Sequence, residues 1–335
     1  MTAREGVVGK VDIRLVGGTI VMDSSGGQGV EIRDAAGALQ AQLPADVRPL
    51  VGDVSVFREV PSAYLDLQDV IELAEDIGTV LSEDGRGVVV VQGTDTLEEV
   101  AFALALLDIP LGAVVLTGAM RNPTMSSADG AANLSAAVVV AADDLSAAIG
   151  PVVVLNDEIH SAWFVQKKSS SALSAFCSPE AGPLGRVVEG SARWRTLPAT
   201  LARRPLQPRG AVKNVPILKL GLGETATLVD AAVELGVDGL VVEAYGAGHV
   251  STEVAGCLER AAGHMPVVLC SRTGASGVLT STYGFVGAEA DLLARGLIPS
   301  LYLDSLKARI LLALHLMARS SQDDIVDDLR NPMRR

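Results

Sequence analysis

Cysteine is scarce in this chain, and its placement says as much as its number. Cys177, Cys257 and Cys270 are an odd count without CxxC spacing, so they read as reduced thiols and not as a disulfide frame or a zinc site. Aromatic residues make up 3% of the 335 positions. Ala, Val and Leu must therefore fill the interior, which suits helices packed closely on parallel strands. No apolar run reaches the roughly 18 residues that a membrane span needs, so a membrane partner is not expected. The charged N-terminal segment has no apolar stretch of signal-peptide length, and a cytoplasmic location is the expectation. Basic residues do not offset the acidic ones; a net charge of −13 repels phosphate backbones and argues against nucleic acid as a partner.

What the chain has is alternation. Short β-branched runs stand at Val11–Val16, Val88–Val91, Ala113–Leu116, Val152–Leu155, Val215–Leu220, Gly239–Glu243 and Val267–Leu269. Between them lie helical patterns at Asp69–Val80, Thr96–Leu107, Asp129–Ala142, Thr225–Leu235 and Thr252–Ala262. A last helix over Leu303–Arg319 sets Leu306, Ile310, Leu314 and Met317 on one stripe. The pattern predicts two α/β domains with mainly parallel sheets, the N-terminal one larger and the C-terminal one smaller and Rossmann-like. Residues 191–214, with Pro198, Pro205, Pro208 and five arginines, lack periodicity and read as a linker between domains at 1–190 and 215–335. The glycine-rich stretch Val21–Pro44 reads as an irregular surface loop or as a mobile lid.

In open parallel sheets, ligands bind beyond the carboxyl ends of the strands. Gly17-Gly18-Thr19 follows the first strand, and Gln92-Gly93-Thr94-Asp95-Thr96 follows Val88–Val91 and leads straight into a helix. Glycines there let backbone N–H groups approach a carboxylate or an oxyanion. One such loop alone reads as a turn with Thr94 or Asp95 as N-cap; two at equivalent strand ends point to a site. A threonine hydroxyl attacks well only when a neighbouring base takes its proton. Lys167, in Gln166-Lys167-Lys168, is the candidate, since a lysine held in a dry cleft gives up its proton more readily. Asp95 could orient it. The alternative for Lys167 is a solvated surface cation beside Lys168.

Other motifs compete. Gly221-Leu222-Gly223-Glu224-Thr225-Ala226, with Glu243 ending the next strand, matches a dinucleotide fingerprint and would make the protein a nicotinamide-dependent oxidoreductase. The same glycines serve a βαβ turn that binds no cofactor. Asp157, Glu158 and His160 lie close together but lack metal-ligand spacing. Ser271 and Ser276 fall in no GxSxG elbow, and Ser169–Ser171 reads as a flexible loop.

The chain resembles the bacterial-type L-asparaginases, which hydrolyse asparagine to aspartate and ammonia. The resemblance is carried by Gly17-Gly18-Thr19-Ile20, by Gln92-Gly93-Thr94-Asp95-Thr96-Leu97-Glu98-Glu99, and by Val114-Val115-Leu116-Thr117-Gly118-Ala119-Met120-Arg121. Asp129-Gly130 with Asn133-Leu134, and Asn156-Asp157 leading to Lys167 and Gly182-Pro183-Leu184-Gly185, extend it over residues 10 to 319. It implies Thr19 as the nucleophile and Thr94, Asp95 and Lys167 as a second catalytic group. It also implies Ser62 on the substrate α-carboxylate, Asp95 on its α-ammonium, and backbone near Gly93 and Ala119 lining the pocket. No cofactor and no metal are implied. The partners implied are a small amide substrate and other copies of the chain, as a homo-oligomer (dimer or homotetramer) with sites shared between subunits.

The family pattern is broken in places. No tyrosine lies in Val21–Pro44, Ala63 stands where glutamine is frequent, Gln92 where histidine is, Trp163 where arginine is, and Val16 where threonine is. Glu289 is the candidate for the acid that a neighbouring subunit contributes. These departures bear on turnover and on the choice of asparagine or glutamine, and they leave open a poorly active ligand-binding protein as a further alternative.

Overall fold

A computed structural model of the chain describes residues 10–17, 35–84, 87–197, 205–274 and 277–332. The chain divides at residue 200 into two compact units. The first contains strands β1 (Val11–Val16), β2 (Val51–Arg58), β3 (Gly87–Gln92), β4 (Val114–Thr117), β5 (Val152–Leu155), β6 (Glu158–Ser161), β7 (Gln166–Lys167), β8 (Phe176–Cys177), β9 (Gly185–Val188) and β10 (Ser191–Trp194). Helices α1 (Ala35–Gln42), α2 (Leu67–Asp84), α3 (Leu97–Leu106) and α4 (Gly130–Ala141) lie between them. Eight strands form one sheet in the order β10-β9-β6-β5-β4-β3-β1-β2. The pairs among β1 to β5 are parallel, whereas β6, β9 and β10 are added antiparallel.

β1, β3, β4 and β5 are buried along their whole length, as strands covered on both faces must be, and β3, β4 and β5 accordingly read as near-continuous apolar runs. β1 alone carries charge inside, and the charges are matched. Asp12 accepts the Asp53 N–H at 3.0 Å, and the Arg14 guanidinium reaches Asp53 at 3.1 Å and Asp76 at 2.7 Å. The chain goes from β1 to β2 on one side and then to β3 on the other. The direction of winding thus reverses between β1 and β3, the place where doubly wound sheets bind ligands.

The second unit holds β11 (Ile217–Lys219), β12 (Leu240–Ala244), β13 (Val267–Ser271) and β14 (Ile298–Pro299), parallel and in that order. Around them are α5 (Thr227–Glu234), α6 (Thr252–Ala262), α7 (Glu289–Ala294), α8 (Ser305–Ala318) and α9 (Gln322–Arg330). α8 carries the expected stripe, with Ile310, Leu314 and Met317 buried and Leu306 partly so, but it also buries Lys307 and His315. Asp304 pairs with the Lys307 amine at 3.1 Å, and His315 Nε2 lies 3.0 Å from Asp328 of α9.

Two expectations are corrected, and one strand is new. Residues 191–194, expected to open the linker, form β10. Glu189 (φ 52°) and Gly190 (φ 69°) make a two-residue hairpin turn that returns the chain onto β9. Within the stretch expected to be irregular, Ala35–Gln42 is helical, in keeping with its alanine content. β2 escaped detection because, as an edge strand, it mixes buried and exposed positions without an apolar run.

Two buried acid-base groups are expected to make the fold sensitive to acid. His160 stands with Nδ1 3.0 Å from the Ser178 hydroxyl and Nε2 3.3 Å from Glu158, which also pairs with Arg186. Burial pushes its pKa below the ordinary 6.5, against the opposing pull of Glu158. The unfolded chain then binds the extra proton, so this contribution is complete above about pH 6.5 and is lost as pH falls through the folded value. Burial works against ionisation of Glu289, but the amides of Tyr283 and Thr282 and the ring of His249 hold its pKa below the ordinary 4.5. Its contribution is present above that value and lost in stronger acid. The melting temperature is expected to fall in two stages on acidification, and His160→Gln to remove the first. A flat profile between pH 7 and 5 in the unsubstituted protein would contradict this.

Candidate active site

Thr94 and Asp95 leave the sheet at the carboxyl end of β3, beside the end of β1. The register pairs Val16 with Gln92, so Gly17 and Gly93 follow at the same level. Gly17 has φ +67°, and a Cβ there would stand 2.1 Å from the Val60 carbonyl oxygen; only glycine lets the chain turn out of β1 here. Thr19 lies outside the described residues, as does the stretch that follows it up to residue 34.

The turn-and-cap reading of Gly93–Thr96 does not hold. The N-cap of α3 is Thr96, which makes no side-chain cap; its hydroxyl donates instead to the Ser62 carbonyl at 2.9 Å. Thr94 and Asp95 turn toward Lys167, whose Nζ donates to Thr94 Oγ1 at 2.8 Å and to Asp95 Oδ1 at 2.8 Å. The Lys167 side chain is 16% exposed and that of Asp95 71%, so the amine is covered while the carboxylate opens to solvent. The surface-cation reading of Lys167 is thereby overturned. The lysine sits on the β7–β8 hairpin, where it pairs with Phe176.

Of the binding residues read from the sequence, Ser62 and Gly93 meet. A Cβ on residue 93 would stand 2.6 Å from the Ser62 hydroxyl, so glycine makes room for that side chain. Ala119 is buried just beyond β4, in a loop held by two residues to which no role was assigned. Asp129 accepts the N–H groups of Met120 (3.0 Å) and Arg121 (2.8 Å). Asn133 donates to the Gly118 carbonyl (2.9 Å) and to Asp129 (3.0 Å), and accepts the Asn156 N–H (3.0 Å). It joins the ends of β4 and β5. The signal was an Asp and an Asn four apart, on one face of the α4 start.

Two other readings change. Glu289 is fully buried, with Oε1 accepting from Thr282 (2.8 Å) and Tyr283 (2.7 Å) and Oε2 standing 3.1 Å from His249. A carboxylate engaged in this way is not presented to a neighbouring subunit. Glu243, the acidic residue of the dinucleotide fingerprint, is bonded by Ser305 and lies 2.9 Å from Lys219. In the same loop the Gly221 carbonyl accepts the Tyr245 hydroxyl. The glycines serve the βα turn, and nothing favours a nicotinamide cofactor.

Comparison with known proteins identifies the family. Residues 10–200 match the family described as Asparaginase, N-terminal, and residues 214–327 the Glutaminase/Asparaginase C-terminal domain. The chain belongs to the asparaginase family. It is thus an amidohydrolase of the class that acts on linear amides. The L-asparaginase of Bacillus licheniformis is 31% identical over 312 residues, 92% of this chain and 95% of that protein. A glutaminase-asparaginase of Pseudomonas fluorescens biotype A is 32% identical over 260 residues, 74% of this chain and 71% of its own length. The crystal structure of a probable cytoplasmic L-asparaginase from Campylobacter jejuni superposes with a TM-score of 0.84 at 30% identity, covering 96% of this chain and 99% of that one.

Proposed function

We propose that this asparaginase-family protein hydrolyses the side-chain amide of L-asparagine, with L-glutamine as a second substrate, through a threonine ester. One observation carries the reading: the Lys167 amine lies 2.8 Å from the Thr94 hydroxyl and 2.8 Å from the Asp95 carboxylate. In the amine form, Lys167 takes the hydroxyl proton across that contact, and Asp95 stabilises the ammonium that results. The threonine oxygen adds to the amide carbon, and N–H groups of the glycine loops hold the oxyanion. Collapse returns the proton to the leaving nitrogen and releases ammonia. Water then cleaves the acyl-threonine to the free acid and restores the hydroxyl. The path uses no metal or organic cofactor.

Ser62, Gly93 and Ala119 are proposed to line the pocket, with Asp95 on the α-ammonium group. Thr19 lies outside the described residues; it follows β1 in the sequence as Thr94 follows β3, and either hydroxyl is proposed as the attacking group. A cytoplasmic homo-oligomer, dimer or tetramer, is part of the same proposal; among the described residues no helix is long and apolar enough to cross a membrane.

Purified protein is expected to release ammonia from L-asparagine. Trapped ester, read by mass spectrometry in Thr19→Ala and Thr94→Ala, identifies the attacking residue. If asparagine, glutamine and related amides all stay intact while asparagine still raises the melting temperature, the protein is a binder and not a hydrolase.

A further inference from the structure

We propose that Glu98 is a positioning residue that holds the backbone of Lys167 so that its amine reaches Thr94; this rests on the reading of Lys167 as the proton acceptor. Glu98 lies in the first turn of α3, four residues after Thr94, and is 6% exposed. Its Oε1 accepts the Lys167 N–H at 3.2 Å.

The need for this contact follows from the hairpin. β7 and β8 are two residues each, and the next amide, that of Lys168, points inward to the Ala175 carbonyl at 2.7 Å. In an antiparallel pair, successive N–H groups alternate between facing the partner strand and facing away. The Lys167 N–H therefore faces away from β8, and the short ladder offers it no acceptor. Glu98 supplies one.

The start of α3 thus grips Lys167 at both ends, with Thr94 and Asp95 at the amine and Glu98 at the main chain. A lysine side chain has four carbons and much rotamer freedom. With its backbone pinned to the element that carries the threonine, the distance between amine and hydroxyl no longer depends on how the hairpin moves. The helix N-terminus also favours a carboxylate at this depth.

The test uses Glu98→Gln, which keeps an acceptor oxygen, with Glu98→Ala and the longer Glu98→Met, which have none. Lys167→Met and Thr94→Ala are measured beside them. The acceptor-free variants are expected to lower kcat for L-asparagine by about 10–100-fold with KM little changed, as a displaced catalytic group does. Glu98→Gln is expected to stay within about threefold of the parent, with the same pH–rate profile. Hydrogen exchange in the peptide containing Lys167 should speed up in the Ala and Met variants and not in Gln. If Glu98→Ala folds poorly, Glu98→Met carries the comparison. Full activity in Glu98→Met, or an equal loss in Met and Gln, overturns the proposal while leaving the role of Lys167 intact. Full activity in Lys167→Met overturns both.

Discussion

Replacing Lys167 with methionine is expected to lower kcat for L-asparagine by about 10²–10⁴-fold, the range that a positioned proton-transfer group supplies, while the protein stays folded. Methionine keeps most of the length and apolar body of the side chain and removes only the amine. The stability cost is small because the partner carboxylate is 71% exposed, and ion pairs open to water contribute about 0–1 kcal/mol. Asp95 can return to solvent without a desolvation penalty. The hydroxyl of Thr94, 9% exposed, loses the group that would take its proton. Lys167→Arg should be nearly as damaging, because a guanidinium keeps the charge but does not act as a base. Steady-state ammonia release, with circular dichroism to check the fold, makes the measurement. Activity within tenfold of the parent in Lys167→Met would remove Lys167 from the chemistry.

The second large effect is expected at Asn133. Leucine has a similar shape and no hydrogen-bonding groups, so Asn133→Leu leaves the Gly118 carbonyl, itself buried, without its 2.9 Å donor. It also takes one donor from Asp129 and the acceptor from the Asn156 N–H. A buried polar group left unpaired costs about 1–3 kcal/mol, and the Asn156 amide recovers part of its share from water. A loss of about 2–4 kcal/mol follows, seen as a melting temperature lower by roughly 5–15 °C. Catalysis should suffer as well, because the carbonyl released belongs to the residue before Ala119. Asn133→Asp keeps an acceptor for Asn156 but places a second carboxylate against Asp129 at a distance of 3.0 Å, and should not rescue. Stability within 1 kcal/mol of the parent in the leucine variant would show that the two strand ends are held by something else.

Much of this architecture could be read directly from residue order. β1, β5 and α6 begin and end where the apolar runs and helical patterns do, because a strand covered on both faces and an amphipathic helix each impose their own period. The misses share a cause. β2 lies at the sheet edge and alternates irregularly; β7 and β8 are two residues long, too short for any period. The hairpin of β9 and β10 was hidden by the prolines and arginines beyond it, although Glu189-Gly190 was a turn signal. At the site, glycine and threonine after two strands marked the place and Lys167 was already a candidate base, while the resemblance supplied Ser62 and Ala119. Nothing local marked Glu98 as different from its neighbour Glu99, and Glu289 looked available until its partners were seen.

Residue order by itself determined the alternation of strand and helix, the parallel sheets and the two glycine-threonine loops, since each depends on backbone preferences and side-chain period within a few residues. Tertiary structure alone decided which groups meet. Lys167 reaches Thr94 across 73 positions and Asp95 across 72, and Glu98 takes the amide of Lys167 across 69. Such contacts depend on strand order, on register and on how a hairpin packs against a helix, quantities summed over the whole core and written in no single segment.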